Sequence, residues 1–215
     1  FTEETLEYAE VGFDRENLRI TFPIRDHVGR FVGVSGRGTR AWHVARYKVY
    51  KEEFHHLIFN YEMRKGLTLW GMHNYYETRM RSGTLQPPIT ICEGFKATMY
   101  VRQCGIPHVV ASMGSALTDQ QIRLLSLVTN RVIMFWDHDD AGREALQKVV
   151  RRLRNAGLIV EIANYETQEK LSPDDLSPEQ VLRAVRKPIS FRKWMRQYGT
   201  FKHQPPVGWD QQSKG

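Results

Sequence analysis

Four short apolar runs, separated by segments of helix length, constrain the fold of this chain more than any other feature. The apolar runs are residues 89–92, 108–112, 132–136 and 158–163. The intervening segments 95–104, 118–128 and 140–155 are predicted to be helices, and a capping box formed by Thr118 and Gln121 begins the second of them. Strands that alternate with helices in this way predict a parallel sheet with right-handed crossovers. In such sheets, ligands bind beyond the carboxyl ends of the strands.

Acidic residues follow two of the predicted strands at the point where each one ends. Glu93 comes directly after the first apolar run, and Asp137 and Asp139 follow the third. Converging carboxylates are typical of divalent-metal sites, because Mg²⁺ prefers hard oxygen ligands and keeps several waters beside one or two carboxylates and substrate phosphates. For each acid taken singly, capping of the following helix is the competing interpretation. The three acids together favour a metal site.

Three motifs follow one another along this predicted sheet. They are Glu93-Gly94, VVASMGSALT at 109–118 and DHDDAGR at 137–143. In this order they resemble the TOPRIM domain of bacterial DnaG-type primases. The residues before them resemble the amino-terminal half of the primase catalytic core, in FPIRD at 22–26, Gly29-Arg30, Gly36-Arg37 and KGLTLWG at 65–71. The resemblance therefore covers most of the chain.

This resemblance implies an α/β fold, in which a TOPRIM-type parallel sheet flanked by helices is preceded by a smaller α+β amino-terminal subdomain. The predicted division is 1–85 for the amino-terminal subdomain, 86–180 for the TOPRIM metal-binding domain and 181–215 for a carboxyl-terminal helix and tail. Residues 1–17 are predicted to form a short helical segment that stops at Gly12. Residues 18–24 and 31–34 alternate as two strands and predict a hairpin, with the turn at 26–29.

The resemblance also implies which acids carry the chemistry. The implied catalytic residues, which are also the implied ligands of Mg²⁺ or Mn²⁺, are Glu93, Asp137 and Asp139. Asp174 is implied as a further metal ligand. Two departures from the family pattern bear on this further position, because Ala97 and Ser172 stand where the family has acids. For Asp174, capping of the helix that follows is the competing interpretation.

Basic residues alternate with aromatic ones in the stretch 40–65, which is typical of single-stranded nucleic-acid binding because cations meet phosphates and bases stack on rings. The alternative is a small aromatic core with a solvated cationic face. The predicted nucleotide- or template-binding residues are Arg37, Arg46, Lys48 and Lys65. For Lys65 and Arg37 the assignment is supported by the resemblance, which places Lys65 near the nucleotide.

Composition narrows the class of protein further. The 215 residues carry a formal net charge of +7, which favours a polyanionic partner such as nucleic acid. The two cysteines, Cys92 and Cys104, lie in apolar surroundings and are too few for a four-thiolate zinc site, so no zinc is expected in this chain. No apolar run is long enough to span a bilayer. We therefore expect a soluble cytoplasmic protein of a bacterial cell or a phage-infected host, with no membrane partner.

The function that the resemblance implies is metal-dependent synthesis of short RNA primers on a single-stranded DNA template from ribonucleoside triphosphates. The expected partners are the template, the triphosphates, a replicative helicase and a zinc-binding module on a longer chain or a partner chain. Two alternatives stay open. One is a TOPRIM nuclease or topoisomerase fragment, and the other is a non-catalytic nucleic-acid-binding module.

Overall fold

The computed structural model describes residues 1–59, 62–167 and 169–199, which build an antiparallel sheet followed by a larger, mostly parallel one. The helices are α1 (Glu3–Tyr8), α2 (Met72–Ser82), α3 (Phe95–Gln103), α4 (Asp119–Val128), α5 (Asp140–Asn155), α6 (Pro178–Arg186) and α7 (Phe191–Tyr198). The strands are β1 (Gly12–Asp14), β2 (Arg19–Arg25), β3 (Phe31–Gly38), β4 (Tyr47–Tyr50), β5 (Glu53–Phe54), β6 (Leu57–Ile58), β7 (Ile89–Cys92), β8 (Val109–Ala111), β9 (Arg131–Met134), β10 (Ile159–Ile162) and β11 (Ile189–Ser190). Most of the predicted tail, residues 200–215, lies outside the described residues.

Strands β1 to β4 form the antiparallel sheet in chain order. The predicted hairpin is confirmed, since β2 pairs with β3 and the Asp26 carboxylate closes the turn by accepting hydrogen bonds from the N–H groups of Val28 (3.0 Å) and Arg30 (2.9 Å). The predicted helical segment up to Gly12 is wrong in part, because α1 ends earlier and Gly12 begins β1 opposite Thr21. A Cβ atom at residue 12 would lie 2.8 Å from the Thr21 hydroxyl oxygen, so this pairing requires glycine.

The second sheet has the strand order β11-β10-β9-β7-β8. Strands β7, β8, β9 and β10 are parallel, as the alternation of apolar runs and helices predicts. The capping box of α4 is also confirmed, because the Thr118 hydroxyl accepts from the Gln121 N–H and the Gln121 side chain accepts from the Thr118 N–H. Strand β11 is antiparallel to β10 and was not predicted. It is only two residues long, which is too short for an apolar pattern to mark it.

Helices cover both faces of this sheet, because successive strand residues point to opposite sides. Ile91 and Met134 belong to the apolar cluster that includes the buried faces of α4 and α5. Cys92 and Ile133 belong to the cluster on the other side, with α3 and α6. Both cysteines are free and buried, in agreement with the sequence analysis. The two covered faces leave the ends of the strands as the accessible edge.

The two sheets are joined close to this edge. Trp70 and Ala111 exchange backbone hydrogen bonds of 3.0 and 3.1 Å, and the Trp70 indole N–H donates to the carbonyl oxygen of Pro23 at 2.8 Å. The ring of Phe22, from β2, stacks on that of Phe95 at the start of α3, with centroids 4.9 Å apart. These contacts place β3 and β4 opposite the strand ends that carry the acids.

The segment after β10 packs back onto the parallel sheet. Helix α6 extends across the predicted boundary at residue 180, and Trp194 in α7 is 2% exposed within the same apolar cluster as the β9 and β10 side chains. The division into three parts stays a prediction. Among the helices of the described part of the chain, none has the length and apolar character needed to cross a membrane.

Candidate active site

Glu93 is the first acid of the site and lies at the carboxyl end of β7, where Gly94 caps the start of α3. The pKa of the Glu93 carboxyl is raised to about 7, mainly by burial and in addition by the negative charges of Asp137 and Asp139. A hydrogen bond from the backbone N–H of Asp137 acts in the opposite direction. The cluster therefore has an excess of negative charge that a bound cation would compensate.

Asp137 follows β9 and is half-buried. Burial is the largest cause that raises the pKa of its carboxyl, and the Ser172 hydroxyl lowers it by donating a hydrogen bond. The charges of Asp139, Asp174 and other nearby acids raise this pKa as well. Ser172, which departs from the family pattern, therefore contacts one of the predicted metal ligands.

Asp139 has a structural role in addition to its predicted chemical one. It is the N-cap of α5, and its Oδ1 atom accepts a hydrogen bond from the Gly142 N–H at 2.7 Å. Capping was the competing interpretation of the strand-end acids, and for this residue the capping bond is present. The bond engages Oδ1 and leaves Oδ2 for a second contact, so capping and metal binding are compatible.

These acids fit a divalent ion that keeps part of its water shell. Within the described ranges, no three His, Cys, Asp or Glu side chains are close enough to hold one ion directly. Mg²⁺ is commonly held by one or two carboxylates, with waters and substrate phosphates completing its octahedron. The raised pKa values of Glu93 and Asp137 favour such an ion, because burial and neighbouring acids destabilise both charged carboxylates and a bound cation would stabilise them.

Cationic side chains line the same hollow of ≈ 350 Å³ as the acids. Lys65 and Arg46 line it together with Glu93, Asp137 and Asp174. The hollow is therefore lined both by residues of the amino-terminal sheet region and by the acids at the edge of the parallel sheet.

The backbone around Lys65 is fixed although its side chain is exposed. Its carbonyl oxygen accepts from the Gln121 side-chain amide at 3.1 Å, and the carbonyl of Gly66 accepts from the Thr118 hydroxyl at 2.5 Å. Residue 66 must be small, since a Cβ atom there would lie 2.7 Å from the Thr118 methyl carbon. The capping box of α4 thus positions Lys65 at the hollow.

The structure does not bring all of the predicted binding residues together. Among the described residues that line the hollow, neither Arg37 nor Lys48 is present. Arg37 lies beside a neighbouring apolar hollow with Phe13 and Phe22, and the Lys48 ammonium lies 4.6 Å from the centroid of the Tyr50 ring. Their predicted contacts with nucleotide or template stay predictions.

Lys96 is a residue of the site that the sequence analysis missed. It lies in the first turn of α3, lines the hollow and forms an ion pair with Asp174, with Nζ and Oδ2 2.5 Å apart. A cation in the first turn of a helix is disfavoured by the helix dipole. A lysine at this position is therefore the one local feature of the sequence that could have drawn attention to Lys96. Asp174, the predicted further metal ligand, thus already has a positively charged partner.

Comparison with known proteins agrees with this architecture. Residues 90–176 match the family described as Toprim-like, which covers the acids and the parallel sheet. The fold and the site therefore define a protein with a Toprim-like domain.

More extensive similarity is found to bacterial DNA primases. The chain is 29% identical over 173 residues to the DNA primase of Lactococcus lactis, covering 80% of this chain and 25% of that protein. A crystal structure of the zinc-binding and RNA polymerase domains of Aquifex aeolicus primase superposes with a TM-score of 0.66 at 27% identity, over 83% of this chain and 42% of that one. A DnaG catalytic core superposes with a TM-score of 0.70 at 22% identity, over 91% and 74%.

This chain is a relative of the DnaG-type primase catalytic core, as its motifs predict. It spans roughly a quarter of the length of the first curated primases that it matches.

Proposed function

We propose that this chain is the catalytic core of a primase, which synthesises short RNA primers on single-stranded DNA from ribonucleoside triphosphates. One observation carries the proposal: the acids Glu93 and Asp137 line the same hollow as the cations Lys65 and Arg46. This arrangement suits a triphosphate bridged to the protein by a divalent ion. The motifs that resemble those of primases, and the similarity to primase relatives, support the same function.

In this proposal, Glu93, Asp137 and Asp139 would hold Mg²⁺ or Mn²⁺, with waters of the ion's shell between the metal and part of these carboxylates. When bound, the ion would neutralise charge that develops on the triphosphate and lower the pKa of the primer 3′-hydroxyl. Lys65 and Arg46 bind phosphate oxygens through charge-assisted hydrogen bonds. Ser172 orients the Asp137 carboxylate, and the capping bond of Asp139 fixes the loop that carries both aspartates.

The proposed macromolecular partner is the single-stranded DNA template, which the net charge of +7 would attract. The Aquifex relative includes a zinc-binding domain. For this chain we propose that such a module acts from a longer chain or a partner, together with a replicative helicase, in the cytoplasm of a bacterial cell or a phage-infected host.

The test is to incubate the chain with single-stranded DNA, labelled ribonucleotides and Mg²⁺ or Mn²⁺. New RNA that depends on both template and metal is the expected product. Glu93→Gln should abolish it, whereas Glu53→Gln, a matched change at an exposed position on β5, should not. Cleaved DNA would instead indicate a nuclease, and binding without either product would indicate a non-catalytic module.

A further inference from the structure

The ion pair between Lys96 and Asp174 lies inside the acidic hollow. The Lys96 side chain is 47% exposed, whereas that of Asp174 is only 13% exposed, so the carboxylate is the more enclosed partner. Both residues line the hollow with Glu93 and Asp137. Without Lys96, Asp174 would add a further uncompensated carboxylate to the cluster.

Both partners of the pair are held in place by the fold. Asp174 lies on a short 3-10 turn, Pro173–Asp175, which is closed by a hydrogen bond from the Ser172 N–H to the Asp175 carboxylate at 2.8 Å. The turn is attached to α3 by the Tyr100 hydroxyl, which donates to the Leu176 carbonyl at 2.7 Å. Because α3 also carries Lys96, the ammonium and the carboxylate face each other from two connected elements.

We propose that the Lys96 ammonium is a built-in counter-ion that occupies the cation position at Asp174. The divalent-ion site is then confined to Glu93, Asp137 and Asp139. The ammonium satisfies the Asp174 charge and repels a second cation from that side of the hollow. The inference rests on the proposed metal site of this chain, but it does not require that the chain synthesise primers.

This assignment has a direct consequence for metal binding. Replacement of Lys96 by an uncharged side chain of similar length should release Asp174 as a ligand. The affinity for a divalent ion should rise by about tenfold or more, or one additional ion should bind, because a nearby positive charge is exchanged for a free carboxylate. The gain should require Asp174.

The experiment is a Mn²⁺ titration of the full chain, in which the electron paramagnetic resonance signal of free Mn²⁺ reports binding. The variants are Lys96→Met, Asp174→Asn and the two combined. Lys170→Met is the matched control, since Lys170 pairs with Asp140 at 2.7 Å through exposed side chains and its loss removes the same charge. Circular dichroism melting of each variant verifies the fold, and Lys96→Gln provides a second uncharged replacement.

We expect tighter or additional Mn²⁺ binding in Lys96→Met and Lys96→Gln, no gain in the double variant, and wild-type binding in Lys170→Met. Unchanged or weaker binding in both Lys96 variants would overturn the inference. It would also be overturned by a gain that persists in the double variant, or by an equal gain in Lys170→Met. Primer synthesis is assayed separately. The Mn²⁺-binding result therefore tests the inference even if the chain makes no primers.

Discussion

Gly142 packs directly against the carbonyl oxygen of Asp137, with no space for a Cβ atom between them. The same glycine donates its N–H to the Asp139 carboxylate. One residue in the first turn of α5 therefore fixes the backbone of one predicted metal ligand and the side chain of the other. The close packing at this site therefore explains why the DHDDAGR motif has a glycine at residue 142.

Gly142→Ala should lower stability by about 1–3 kcal/mol, because the added methyl group must displace the Asp137 backbone or the helix. Chemical denaturation measures the change in the free energy of unfolding. Gly114→Ala is the control, since a Cβ atom there meets nothing within 4 Å. Equal stability of Gly142→Ala and wild type would show that the loop is not fixed in this way.

The raised pKa of Glu93 predicts a pH dependence of stability in the absence of metal. The folded-state value of about 7 lies above the ordinary value of 4.5, so the folded chain binds this proton more tightly than the unfolded chain. The resulting stabilisation is complete at pH values below the pKa of Glu93 in the unfolded chain, and it is lost as the pH rises through about 7. After allowance for solvent screening, the loss should be about 1–2 kcal/mol.

Urea denaturation in a chelator at pH 5 and pH 8 tests this dependence. Glu93→Gln should show a smaller difference in the free energy of unfolding between pH 5 and pH 8, and it should be more stable than wild type at pH 8. Glu53→Gln should keep the wild-type difference. If the difference between pH 5 and pH 8 is the same in Glu93→Gln and wild type, Glu93 is not the group that titrates.

Lys65→Ala should weaken the use of ribonucleotides by about 1.5–3 kcal/mol, the magnitude of a hydrogen bond to a charged group. The measurement is the rate of primer synthesis as a function of triphosphate concentration. Lys148→Ala is the matched control, because Lys148 is exposed on α5, pairs with Glu144 and is absent from the described lining of the hollow. Equal effects of the two substitutions would assign Lys65 a general electrostatic role only.

Much of the fold was predictable from the sequence, because buried strands and capped helices leave local patterns. The helix 140–155 and the capping box at Thr118 are found where the sequence places them. By contrast, the pair between Lys96 and Asp174 joins residues far apart in sequence, and no local pattern specifies it. The position of Arg37 beside the apolar hollow depends on how the two sheets pack, which a motif does not report.

Template binding by this chain alone should be weak and strongly dependent on salt. A cationic surface contacts mainly phosphates, so binding releases counterions and carries little sequence information. Titration of single-stranded oligonucleotides of equal length at several salt concentrations measures both properties. A zinc-binding module supplied on a longer chain or a partner should restore the rate and the choice of start site. Tight, salt-insensitive binding to one trinucleotide would place the specificity in this chain.

The central claim is that Glu93, Asp137 and Asp139 form a metal site that supports RNA synthesis. Its most direct test is template-dependent incorporation of labelled ribonucleotides by wild type, Glu93→Gln and Asp139→Ala, with melting curves recorded for each. We predict metal-dependent RNA from wild type, none from either variant, and cooperative melting of all three. Loss of one carboxylate removes a ligand and relieves repulsion in the metal-free cluster, although Asp139→Ala also loses the helix cap. Full activity in either variant, or no RNA from wild type, would contradict the account.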